Sequence, residues 1–564
     1  MNAAADRYWL KSYPASVPAE IDPGQYRSLA QLIEECCQRF AGRPAYSSFG
    51  RTVSYGALER MSRAFGAWLQ QEARLVRGDR IALMMPNVLQ YPVALFGALR
   101  AGLTVVNTNP LYTQRELEHQ LKDSGARAIV VYEQAAQLVQ ECLPETDLEQ
   151  VIVTGVGDLL RFPRSALVNF VLRHVRKQVK PWALPEARRF TEVLEQGKWV
   201  DLAPSAVTSD EIAFLQYTGG TTGVAKGAML THRNMVANTL QADAWLSEFV
   251  GDPLEPRLVV GALPLYHIFA LTSIALLSLR TGGEVLLITN PRDMPGFVRE
   301  LRRRKVNVFY GVNTLYNSLM HTPGFEAIDF SGLVSSVAGG MALQGAVAQR
   351  WRERTGCILA QGWGLTETSP VATMSPAGVD FNNSIGLPVP STEISIRDDA
   401  GAPLAVGQVG EICVRGPQVM RGYWNRPDET AKVMLDGGWL RTGDIGRMDA
   451  AGFVYIEDRK KDMILVSGFN VYANEVEGVL AQHPGVLEVA AVAQPDERSG
   501  EVVAVFVVRK DPALTEAQLV EFARTELTGY KVPRHVYFRD ELPKTNVGKI
   551  LRRALRDELY KKAH

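Results

Sequence analysis

A chain of 564 residues is too long for one ordinary hydrophobic core and predicts two to four domains or lobes. Apolar residues make up 46% and charged residues 22%, which excludes a disordered or fibrous protein. Lysine plus arginine and aspartate plus glutamate both number 61, so no basic excess points to a nucleic-acid partner. The five cysteines, Cys36, Cys37, Cys142, Cys357 and Cys413, are odd in number and lack metal-ligand spacing, as expected of a reducing compartment. The N-terminal residues show no apolar core flanked by basic residues, and no run of 18 uncharged apolar residues occurs. The expectation is a cytoplasmic, enzyme-sized protein.

Residues 26–75 read as mostly helical, with a turn-rich break at 42–44 and a short strand at 52–55. From there strand and helix alternate: strands at 79–85, 104–107, 128–132 and 150–153, helices at 88–102 and 114–123. Thr113 with Glu116 three residues on predicts a capping box opening the second helix. This rhythm predicts an α/β fold with a largely parallel sheet and helices on both faces.

Residues 161–182 break the rhythm. Arg161, Arg164, Arg173, His174, Arg176, Lys177 and Lys180 interleave with Phe162, Leu167, Val168, Phe170, Val171 and Leu172, with no acidic residue between. Two readings stand: a basic amphipathic stretch lying on an anionic membrane surface, or a solvated insertion helix.

A strand at 212–217 leads into Tyr217-Thr218-Gly219-Gly220-Thr221-Thr222-Gly223-Val224-Ala225-Lys226-Gly227. Glycines bring bare backbone N–H groups against an anion, threonine hydroxyls add donors or a metal ligand, and Lys226 adds a compact positive charge. Gly227 after Lys226 separates this loop from the G-x-x-x-x-G-K-[ST] phosphate loop. Further on, His267 stands alone in an apolar run at 263–279, the usual setting of a satisfied core histidine. Strand and helix alternate again at 284–289, 295–304 and 306–310. Residues 385–457, with short strands and many glycines, predict a small β-rich subdomain closing a large N-terminal lobe, 1–457. The charged residues 458–461 read as a hinge, and 462–564 as a compact, mobile α+β C-terminal domain.

Four further motifs stand beside the loop. Ser336-Val337-Ala338-Gly339-Gly340 leaves room for a flat ring against backbone. In Gln361-Gly362-Trp363-Gly364-Leu365-Thr366-Glu367-Thr368, Trp363 offers an aromatic face and Glu367 a hard oxygen ligand for Mg²⁺. In the stretch 438–444, Asp444 can accept both hydroxyls of a ribose. Residues 543–550 present Lys549 on a glycine-containing loop.

In this order and combination, over about residues 26–553, the motifs resemble those of the adenylate-forming superfamily of acyl-CoA synthetases, luciferases and peptide-synthetase adenylation domains. Residues 436–446 running on to Asp458-Arg459-Lys460-Lys461, and 87–92 with 107–112, are most similar to bacterial long-chain fatty-acid–CoA ligases. The basic insertion also looks like theirs. The resemblance implies that a carboxylate attacks the α-phosphate of ATP, giving acyl-AMP and pyrophosphate, and that coenzyme A then takes the acyl group.

By the same resemblance, Thr218, Gly219, Gly220, Thr221, Thr222, Gly223 and Lys226 hold the β- and γ-phosphates, with Thr218 and Glu367 in the Mg²⁺ site. Gly339, Gly340, Gln361 and Gly362 line the adenine pocket, Trp363 stacks on it, and Thr366 reaches the α-phosphate. Asp444 and Arg459 hold the ribose, and His267 stands beside the reacting carboxylate. Lys549 bridges carboxylate and phosphate during adenylation. Lys461 matches the hinge position, and rotation there brings the turn around Gly468 to the site. Some relatives carry a lysine where this chain has Leu465, so no nucleotide contact is transferred to that position.

An amino-acid adenylation domain is the nearest rival, but 262–279 holds no acidic residue for a substrate amine, so an apolar acyl chain fits better. A luciferase-like oxygenase and a non-catalytic nucleotide-binding scaffold are remoter readings. The residues leave medium-chain and long-chain fatty acids undistinguished and are silent on oligomeric state, a homodimer included.

Overall fold

The computed structural model describes residues 7–218, 225–250, 255–459, 461–467, 469–496, 498–545 and 548–562. Strands made of nearly continuous apolar residues need cover on both faces, which parallel sheets flanked by helices provide. Two such sheets form the N-terminal lobe. One has seven strands in the order Arg188–Arg189, Gln150–Thr154, Ala128–Tyr132, Arg80–Met84, Thr104–Asn107, Ile212–Thr218, Lys226–Thr231. All its neighbours are parallel except the last pair, the two strands that flank the Gly/Thr loop.

The other sheet has nine strands, with a parallel centre formed by Ser335–Ala338, Val308–Gly311, Leu258–Gly261 and Glu284–Leu287. Leu359–Gly364 extends it in parallel toward the site. At its far edge the structure corrects the reading of 26–75. Pro44–Ser48 and Arg51–Ser54 form an antiparallel hairpin on this sheet, and Tyr55 opens a helix instead of closing a strand. Ser54 decides the matter by capping Tyr55–Gln71, its Oγ accepting the Ala57 N–H at 3.2 Å. The capping box at Thr113 and Glu116 forms as its spacing predicts, opening Gln114–Ser124.

The β-rich part is a five-stranded antiparallel sheet containing Glu393–Arg397, Gly410–Arg415, Trp439–Met448 and Val454–Arg459. Asp458 and Arg459 are therefore strand residues and not members of an open charged loop. Beyond them, a five-stranded mixed sheet packs with Ala473–Leu480, Glu516–Glu526 and Arg552–Lys562. Two cores of its own serve this part: one around Val476, Leu480 and Val505, the other around Phe506, Leu542 and Leu555. The fold is α/β, with layered, mostly parallel sheets in a large lobe and an α+β C-terminal part. No helix among the described residues is long and apolar enough to cross a membrane.

Candidate active site

Ligands of open α/β sheets bind outside the carboxyl ends of the strands. Three such ends carry residues of the site: Ile212–Thr218, Ser335–Ala338 and Leu359–Gly364. Thr218 ends its strand opposite Lys226, which starts the return strand, so both feet of the Gly/Thr loop are fixed by the sheet. Gly219, Gly220, Thr221, Thr222 and Gly223 lie outside the described residues, as does Gly468. The Lys226 ammonium pairs with Glu429 and stands 5.2 Å from the centre of the Tyr423 ring. The Tyr423 hydroxyl donates to Glu367 Oε1 at 2.6 Å. Lys226 and Lys432 together hold the Glu429 carboxyl down to about 2.

Glu367 sits on the short turn Thr366–Thr368, fixed by its carbonyl accepting the Met420 N–H at 2.8 Å. A nucleotide-borne Mg²⁺ keeps several waters and takes only one or two protein carboxylates, so a single half-buried glutamate suits it. Among the described residues no group of three or more His, Cys, Asp or Glu forms a dedicated cage.

Two glycines follow the strand Ser335–Ala338, where a side chain would be crowded at the first and strained in backbone at the second. A Cβ on Gly339 would lie 3.0 Å from the Gly362 carbonyl and 3.1 Å from the Phe269 ring. Gly340 has φ +77°, and a Cβ there would meet Lys549 Cε at 3.3 Å. Gln361 is buried, and its Oε1 has no partner within the protein, leaving an acceptor for a ligand. Gly362 follows it on the strand Leu359–Gly364. Trp363 has a role that the sequence did not disclose: its indole Nε1–H donates to Asp444 Oδ2 at 2.9 Å. The other oxygen of buried Asp444 lies 2.9 Å from Arg459 Nε, across the register pair Asp444–Arg459.

Lys549 reaches this centre from the C-terminal part. Thr314 of the large lobe donates to the Gly548 carbonyl at 2.9 Å, and Thr545 brackets Lys549 by a backbone bond of 2.7 Å. Burial pushes the ammonium down to about 8, aided by Arg459 and opposed by Asp444 and Glu367. Burial, with the Lys549 charge, pushes His267 down to about 3. Its ring is therefore neutral. One ring nitrogen, Nδ1, accepts the Phe269 N–H at 3.3 Å, which leaves the proton on Nε2 as a donor. The burial and the local bond are those of a satisfied core histidine, and the charge of Lys549 that acts on the ring places it near the incoming lysine. Burial also lowers Lys461, whose carbonyl accepts from Arg556 at 3.3 Å. On either side of Gly468, Ser467 has φ +49° and exposed Phe469 stacks on Tyr530 at 4.9 Å.

Behind the site a small cavity of about 30 Å³ is lined by Leu246, Val259, Leu277, Val308 and Tyr310 together with the charged Asp243, Glu255 and Arg257. Tyr310 meets Phe269 edge-on at 6.2 Å, so the cavity begins one ring away from Gly339 and His267. Asp243, on its rim, pairs with Arg280 at 3.3 Å.

A buried carboxylate held by Trp363 and Arg459, an unpartnered Gln361 oxygen and a partly dehydrated lysine thus stand close to the fixed ends of the Gly/Thr loop. The chain belongs to the AMP-binding enzyme family: that family's model matches residues 33–424, and the AMP-binding enzyme C-terminal domain matches 475–549. It is 55% identical over 555 residues to a long-chain-fatty-acid–CoA ligase of Escherichia coli O157:H7, covering 98% of each chain. To the long-chain-fatty-acid–CoA ligase of Bacillus subtilis it is 38% identical, over 99% of each. Among solved structures, a benzoate CoA ligase from Burkholderia xenovorans superposes with a TM-score of 0.79. It is 28% identical and covers 94% of this chain and 99% of that one.

Proposed function

We propose that this chain is an AMP-forming fatty-acid–CoA ligase: ATP activates a long-chain fatty acid as acyl-AMP, and coenzyme A then takes the acyl group. One observation carries the reading. Lys549, partly deprived of water, stands against Gly340 with Asp444, Glu367 and His267 around it. Adenylation brings together two anions, carboxylate and triphosphate, and preorganised positive charge offsets their repulsion. Lys226 holds the outer phosphates, exchanging Glu429 for them, and Lys549 bridges the carboxylate and the α-phosphate. Asp444, oriented by Trp363, takes the ribose with Arg459. Gln361 Oε1 accepts from the adenine amino group. His267 donates Nε2–H to the acyl carboxylate. Mg²⁺, held by Glu367 with Thr218, would neutralise phosphate charge. The fatty tail leads past Phe269 toward Tyr310, and Asp243 beyond them is already paired with Arg280 and is no free partner for the amine of an amino acid.

Coenzyme A uses the second arrangement, in which residues 462–564 turn about Lys461, withdraw Lys549 and bring the turn around Gly468 forward. The basic insertion adds a docking face for an anionic membrane surface, the source of an apolar substrate. Phe162, Leu167, Phe170 and Val175 are exposed there beside Arg161, Arg176, Lys177 and Lys180. Arg173 is spent internally on Glu133.

The test is ATP- and Mg²⁺-dependent pyrophosphate release across saturated acids from acetate to stearate, with and without coenzyme A. Release that requires a long-chain acid and accelerates with coenzyme A is the expected result. Release without a coenzyme A response points to another acyl acceptor, and silence on every fatty acid contradicts the proposal.

A further inference from the structure

Side chains alternate across a strand, and along Val454–Arg459 this places two adjacent residues on opposite tasks. Arg459 stands opposite Asp444, on the nucleotide side. Asp458 faces the other way and is fully buried. Apart from the adjoining Arg459 N–H, the partners of its carboxylate belong to the C-terminal part. Arg552 Nη1 lies 3.6 Å from Oδ1, and the Asn474 N–H donates to Oδ2 at 3.4 Å. That N–H is in the first turn of Ala473–Leu480, where helix donors lack intrahelical acceptors and a carboxylate is favoured. Arg552 follows Lys549 by three residues. Its other partners are Glu477, gripped at 2.9 and 2.7 Å, Asp462 at 3.7 Å and Asn474. Burial pushes the Asp458 carboxyl up to about 6, against the pull of Arg552.

The asymmetry of this cluster is informative. Glu477, Asp462, Asn474 and Arg552 all follow Lys461 in the chain, and Asp458 alone precedes it. A rigid turn about Lys461 keeps the Arg552–Glu477 and Arg552–Asp462 pairs and strips Asp458 of Arg552 and Asn474. A buried carboxylate that loses its partners is strongly disfavoured. We infer that Asp458 is a positioning residue, a latch that holds the C-terminal part in the arrangement placing Lys549 at the site, and that acts through Arg552. The inference rests on the two-arrangement reading above and adds the residue that sets the balance between the arrangements.

The experiment measures both half-reactions in the full chain for Asp458→Asn and Asp458→Ala: ATP–pyrophosphate exchange with fatty acid, and thioester formation from supplied acyl-AMP. Lys549→Ala is run in parallel, with thermal melting of every variant. The latch predicts that exchange falls by about tenfold or more, while thioester formation is retained or accelerated. A merely structural role lowers both half-reactions together. Equal losses, or none, overturn the latch. If Asp458→Ala fails to fold, Asp458→Asn, which keeps an acceptor for the Asn474 N–H, decides the matter. A split in Lys549→Ala without one in Asp458→Asn overturns the latch alone. No split in either variant overturns the two-arrangement reading with it.

Discussion

Lys549 carries its own pH signature. Burial holds its ammonium at about 8, below the ordinary 10.5. A lysine neutralises anions only while protonated, so its contribution is complete below about pH 8 and is lost as pH rises through that value. Fatty-acid adenylation measured as kcat/KM therefore shows an alkaline limb centred near pH 8. Stability runs the other way. Between about 8 and 10.5 the unfolded lysine keeps a proton that the folded one has shed, so stability from this group rises with pH while activity falls. A rate flat to pH 10 contradicts the assignment. At this scale the short motifs singled out in the sequence, at Gly339–Gly340, Glu367 and Lys549, are brought near one another by the fold. The sequence was silent on Trp363 as the donor to Asp444, 81 residues away, and on Tyr423 as the donor to Glu367, 56 residues away. Partners that distant meet only through the sheet, and no local pattern encodes them.

Among the elements, those set by local rules were readable. Thr104–Asn107 and Ala128–Tyr132 have the bounds that their apolar runs predict, and the capping box of Gln114–Ser124 is a four-residue signal. The hairpin Pro44–Ser48 and Arg51–Ser54 was not readable, because its stability comes from pairing with Glu284–Leu287 some 240 residues on. The run after His267 reads as one plain helix, but its middle, Leu271–Leu276, is a π segment within a fully buried stretch. The insertion helix Arg164–Phe170 bears directly on location. Basic residues near an anionic lipid surface contribute about 1 kcal/mol each. Replacing Arg161, Arg176, Lys177 and Lys180 by glutamine should therefore weaken binding to anionic vesicles by on the order of 1,000-fold at low salt. Sedimentation with vesicles checks this, and binding that is unchanged, or equal on neutral vesicles, contradicts a membrane face.

For the whole molecule, the decisive feature is that one lysine serves the site from a part of the chain with cores of its own. Among the described residues, the polar contacts that must be exchanged for that part to turn include Thr314 to Gly548, Asn317 to the Leu487 carbonyl, and those of Asp458 with Arg552 and the Asn474 N–H. In the proposed scheme the large buried sheets stay as they are while that part turns, so that positive charge is present while two anions react and is withdrawn when a thiol must approach. The measurement that tests this most directly is the pair of half-reactions in Lys549→Ala. The account predicts that acyl-AMP formation collapses while thioester formation from supplied acyl-AMP and coenzyme A continues nearly undiminished. Parallel loss of both steps, or adenylation that survives without Lys549, would contradict it.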